Sequence, residues 1–179
     1  MAEDKTKGRQ NGRQTVERIA HYKFDDDFPE KTVSLCMAQT LEELPTLITP
    51  SGPHFVLLIA MDATEIRNHS ICAVAERLLD RGAIYVCAWG PECRKVEDAF
   101  DEAIVQRNPD ETDRNVVFTT AHSQESIEEA VWFFLNCAWP AEDYVYTCSD
   151  WIAAVIKNPA LEAEVRKKLL AEKEEGETS

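Results

Sequence analysis

HFVLLIAMDATE, residues His54 to Glu65, places an unbroken apolar run directly before an acidic turn that contains no glycine. A short run of this kind, bounded by turn residues, reads as a strand buried on both faces. Three further runs match it: AIYVCAW from Ala83, NVVFTT from Asn115 and DYVYTC from Asp143. Each is followed by a helical pattern. The first helix is expected from Thr64, with Ile71, Val74, Ala75 and Leu78 on one face, Asp62 and Glu65 as a capping box, and Gly82 at its close. The second carries Val96, Ala99, Phe100, Ala103 and Ile104 and stops at Asn108-Pro109. SIEEAVWFFLNCAW, from Ser126, is apolar nearly all round and is expected to be sandwiched or used as an interface. A fourth helix is expected near Ser149 or Asp150, and a last one with Asn158 as cap and Pro159 in its first turn.

Strands alternating with helices require crossover connections and so a mainly parallel sheet. The expected fold is a compact doubly wound α/β sheet of about four to five strands with helices on both faces, a flavodoxin-like or Rossmann-like three-layer arrangement. The strand after Pro53 should be central, with the order reversing between it and the Asn115 strand. Leu57, Ile59, Val86, Val117 and Val145 should be buried. At the level of fold alone this resembles flavodoxin-like and TIR-like modules, a likeness that transfers no function.

A chain of 179 residues fits one domain. Residues 1–15 read as a polar tail, 16–173 as one α/β domain and 174–179 as a second tail. Within the domain, 16–50 is read as an N-terminal addition, 53–158 as the βα repeats and 159–173 as the C-terminal helix. The 44% apolar and 29% charged content supports a real core. No segment approaches the roughly 20 apolar residues of a membrane span, and no apolar leader opens the chain, so a cytoplasmic protein with no membrane partner is expected.

The 33 acidic residues outnumber 19 basic ones, a formal charge of −14. That disfavours nucleic acid, whose phosphates need a positive face, and favours basic proteins or peptides, unless the acidity serves solubility alone. Acidic residues gather in DDDFPE (Asp25, Asp26, Asp27) and at Asp110, Glu111 and Asp113. The six cysteines, Cys36, Cys72, Cys87, Cys93, Cys137 and Cys148, form no CxxC pair, and the histidines His21, His54, His69 and His122 fall into no ligand spacing. No metal is assigned.

Ligands of doubly wound folds gather outside the carboxyl ends of the strands, where the order reverses. Four loops are nominated: Met61-Asp62-Ala63, Trp89-Gly90-Pro91, Thr119-Thr120-Ala121-His122 and Cys148-Ser149-Asp150-Trp151. A dinucleotide needs glycines in the first of these, and a phosphate is repelled by an acid there. MDATE offers an acid and no glycine, so NAD, FAD, ATP and FMN are set aside and no cofactor is expected. Cys93, in the first turn after Gly90-Pro91, sits where a helix dipole lowers a thiol pKa. His122, with Asp62 or Asp150 and Cys93 or Cys148, has the residue types of a nucleophile, base and orienting acid. Helix capping explains Asp62, Ser123 or Ser126, and Ser149 without chemistry and is the favoured account of them. Asp62, Trp89, Thr120, His122 and Trp151 are the candidate binding residues, the two tryptophans as an aromatic floor or as packing.

The leading expectation is a non-enzymatic acidic interaction module binding a protein partner, of the kind in which an immunity protein meets a basic toxin or effector. The alternatives are a small hydrolase or transferase using Cys93 or Cys148 with His122, and a ligand-sensing domain with a pocket between Asp62 and His122. The sequence leaves the oligomeric state open.

Overall fold

The computed structural model describes residues 15–22, 30–108 and 116–176. Most of the two tails read from the sequence, and both acidic clusters at Asp25–Asp27 and Asp110–Asp113, lie outside the described residues.

The strands are β1 (Thr15–Tyr22), β2 (Lys31–Ala38), β3 (His54–Ala60), β4 (Ala83–Trp89), β5 (Phe118–His122) and β6 (Cys148–Ile156). The helices are α1 (Leu44–Leu47), α2 (Asn68–Asp80), α3 (Arg94–Arg107), α4 (Ile127–Asn136) and α5 (Pro159–Gly176). Among the described residues the strands build one six-stranded sheet in the order β1-β2-β6-β3-β4-β5. β1 runs antiparallel to β2, and every other pairing is parallel. The fold is the expected three-layer α/β arrangement, with six strands because the segment read as an N-terminal addition contributes β1 and β2 to the sheet.

Alternation along β3 divides the core. Phe55, Leu57 and Ile59 pack with Ile71, Val74 and Leu78 of α2 and Val96 and Phe100 of α3. Val56 and Leu58 pack on the other face with Val131 and Phe134 of α4 and Leu161, Val165 and Leu169 of α5. Both faces of β3 are therefore covered, which is why its sequence is apolar without interruption.

One strand assignment changes. DYVYTC is not a strand: Glu142–Tyr144 form a single 3₁₀ turn, Val145 is half-buried and Tyr146 is 81% exposed. The strand begins at Cys148 and takes in Trp151–Ile156, all buried, where the sequence pattern predicts the start of a helix. β6 enters between β2 and β3, so the order reverses between β3 and β6 and not between β3 and β5, which β4 separates. β5 starts at Phe118, leaving Val117 half-buried just before it. Helix α2 starts at Asn68, later than expected, because Asp62 Oδ1 accepts from the Thr64 backbone N–H at 2.9 Å in a turn of its own and no capping box forms.

Candidate functional site

The GPEC turn shows how one carboxyl-end loop is fixed. Gly90 has φ +114°, and a Cβ there would lie 2.1 Å from the Met61 carbonyl oxygen, so only glycine fits. Trp89 O accepts from Met61 N at 3.0 Å and Pro91 O from Ala63 N at 2.9 Å. The turn after β4 thereby clamps the Met61-Asp62-Ala63 loop after β3. Cys93, at the start of α3, is 1% exposed, and burial together with Glu97 pushes its thiol up. The helix-start position expected to favour a thiolate is outweighed by desolvation.

His122 is also buried. Its Nδ1 meets Glu125 Oε2 at 2.5 Å, its Nε2 meets Thr120 Oγ1 at 3.1 Å, and its ring lies 4.7 Å from that of Phe133. Both nitrogens are occupied. Trp89, its register partner on β4, donates through Nε1 to Glu125 O at 2.9 Å. Trp89, Thr120 and His122 are thus brought together in a hydrogen-bonded knot that ties β4 and β5 to the loop before α4.

Cys148, Asp150 and Trp151 are not at the carboxyl end. They open β6, where Cys148 is in register with His54 at the start of β3, about 20 Å along the strands from the His122 end. The misplacement follows from taking DYVYTC for the strand. Asp150 accepts from Ser51 N at 3.0 Å and Ser51 Oγ at 2.7 Å, fixing the turn before β3. Trp151 is 1% exposed and donates to Ala138 O at 3.1 Å. Burial pushes the Cys148 thiol up to about 12. No arrangement of His122 with Cys148 or Asp150 exists.

A cavity among the described residues lies elsewhere, at the reversal. About 460 Å³ of space opens where β2, β6 and β3 end. Gln39, Thr40 and Glu42 form one wall, Asp62, Glu65, Arg67 and Ser70 the other, with Lys157 and Asn158 between them. Met61, Ile66 and Ile156 supply apolar lining. The first wall is held by Glu43, whose Oε2 accepts from Gln39 N at 2.9 Å and Thr40 N at 3.3 Å. Asn158 Oδ1 accepts from Leu161 N at 3.0 Å and caps α5 as expected. Its neighbour Lys157 stands in the left-handed region at φ +51° and donates its N–H to Ala38 O at 2.8 Å. The bonds from Thr64 hold the Asp62 carboxyl below its usual range, so it is ionised at neutral pH.

Of the expected binding residues, only Asp62 reaches this cavity. It extends from Asp62 toward β6 and β2, away from His122. Lys157 and Asn158 join the lining because β6 ends just before them, and the residues after β2 and β3 face one another across the crevice because β6 enters between those strands, an order the local sequence does not record. The signal was present in the Asn158-Pro159 helix start, which also marks the preceding apolar run as a strand that has just finished.

Fold and cavity define a doubly wound α/β domain with a crevice at its topological switch point. The chain belongs to the family described as a domain of unknown function, DUF7684, whose model matches residues 33–171 and so spans every residue lining the crevice. No curated protein matches the chain in sequence.

Proposed function

We propose that this domain binds a small ligand in the crevice at the carboxyl ends of β2, β6 and β3. One observation carries the reading: the cavity of about 460 Å³ lies at the reversal of strand order, where doubly wound folds hold ligands, and combines apolar lining with a few charged groups. The left-handed Lys157 at its centre adds support, since such strain concentrates at functional positions. The six free thiols suit a reducing compartment, so the cytoplasm is the proposed location. A thermal-shift screen of small metabolites tests the reading, with Ser70→Trp as the variant that fills the crevice. A compound that raises the Tm of the natural chain and leaves Ser70→Trp unmoved is expected. Silence across the screen, or a shift that persists in the variant, would overturn it.

The interaction reading keeps one observation of its own. Trp132 on α4 is 50% exposed, beside a second hollow of about 400 Å³ lined by Ser126, Glu128, Glu129 and Lys168. An exposed indole among carboxylates suits a basic partner, of the toxin or effector kind, in a chain of charge −14. Its test is whether Trp132→Ala abolishes a salt-sensitive association that the natural chain shows with a purified basic protein.

A further inference from the structure

The crevice is lined by charges of both signs that do not neutralise one another. Arg67 and Lys157 form no ion pair with any described residue, although Glu42, Asp62 and Glu65 line the same cavity. Elsewhere several basic side chains are paired: Arg107 with Asp80 at 2.7 Å, Lys95 with Glu92 at 3.6 Å, and Arg166 with Glu17 and Glu162 at 2.8 and 2.6 Å. In a chain this acidic, two cations left apart from three carboxylates in one cavity offer a ligand both kinds of partner.

A simple anion entering the crevice meets three carboxylates, and a simple cation meets Arg67 and Lys157. Each contact of unlike charge attracts, and each contact of like charge repels by a comparable amount. A ligand bearing both charges collects attraction from both sets. Met61, Ile66 and Ile156 give a small hydrocarbon body somewhere to lie. We infer that the crevice recognises an amino-acid-like zwitterion, with its anionic group toward Arg67 and Lys157, its cationic group toward the carboxylates and its apolar body on the floor. This rests on the crevice being the ligand site.

Isothermal titration of the full chain with the common L-amino acids, each beside its decarboxylated amine and its deaminated acid, tests the inference. At least one amino acid should bind about tenfold or more tighter than both of its singly charged counterparts. The double variant Arg67→Gln, Lys157→Gln should weaken that amino acid about tenfold and leave the amine unaffected or tighter. An amine or acid binding as tightly as its parent amino acid would overturn the zwitterion while leaving the crevice standing. Failure of every amino acid to bind would overturn it too, and the metabolite screen with Ser70→Trp would then decide the crevice separately.

Discussion

Lys31 Nζ lies 4.5 Å from the centroid of the Trp151 ring and 5.2 Å from that of Trp139, in a site where the lysine is only 3% exposed. The ammonium also donates to Leu135 O in the last turn of α4, where the helix dipole favours a cation. Burial nevertheless dominates and lowers the amine to about 7. Below pH 7 the amine is charged in both folded and unfolded chains. Between about 7 and its ordinary 10.5 the unfolded chain binds the extra proton, so this site makes stability rise with pH across that window and lose the gain as pH falls through it.

Replacing Lys31 with Met should therefore favour the fold more at pH 7 than at pH 10, by a few kcal/mol. Urea midpoints of both chains across pH 6–10 measure this. The buried thiols Cys36, Cys87 and Cys148, raised to about 11, 12 and 12, act in the opposite sense above about pH 9. Taking the difference between the two chains largely removes their share. A difference constant with pH would mean that the amine stays charged in its cage.

Leu57 is fully buried at the centre of the sheet, in register with Val86 on one side and Ile152 on the other. Leu57→Ala should cost about 2–5 kcal/mol, because neighbours in a two-sided core cannot collapse into the space. Val145→Ala, outside any strand and half-buried, should cost about 1 kcal/mol or less. Denaturation midpoints of the two variants give the comparison.

These two valine and leucine positions show what was legible. β3 and β4 stand out because strands covered on both faces are written as continuous apolar runs. The run Trp151–Ile156 has the same character, yet it is short enough to serve as a buried helix segment, and the alternating residues before it made a competing strand. Placing β6 wrongly moved Cys148, Asp150 and Trp151 to the wrong end and hid Lys157 and Asn158. The reversal point was illegible for a different reason: strand order is set by which crossovers pack best, and local sequence does not record it. Lys31 reads as a polar flank of an apolar run, and nothing adjacent in sequence announces the two indoles that enclose it.

Cys93 should resist alkylation in the native protein. Its thiol is buried and raised, whereas Cys137 is exposed and Cys72 partly so. Mass spectrometry after brief treatment with iodoacetamide should find Cys137 and then Cys72 modified first. Early labelling of Cys93 would show that the turn after Gly90 opens in solution and would restore it as a candidate nucleophile.

Gly90→Ala should destabilise the chain by about 2 kcal/mol or more, since it forces a side chain into the left-handed region and against the Met61 carbonyl. Because Met61 also lines the crevice, ligand affinity should fall along with stability. A urea midpoint and a binding titration on the same preparation check both. Loss of stability with full affinity would show that the clamp between the two loops does not shape the site.

Lys157 separates stability from function in the opposite direction. Its backbone is left-handed at φ +51°, a conformation that costs a residue with a side chain about 1–2 kcal/mol. Glycine removes that cost and adds about 0.5–1 kcal/mol of unfolded-chain entropy, so Lys157→Gly should leave the fold unchanged or more stable by up to about 1.5 kcal/mol. The N–H bond to Ala38 O survives the change, so β6 stays joined to β2. The ammonium does not survive, and a ligand whose anionic group it shares with Arg67 should bind about threefold more weakly, part of the roughly tenfold lost when both cations are removed. A variant that is no less stable but binds less well would show that the strain is retained for the side chain it presents. Unchanged binding would remove Lys157 from the site and leave Arg67 alone to receive the anionic group.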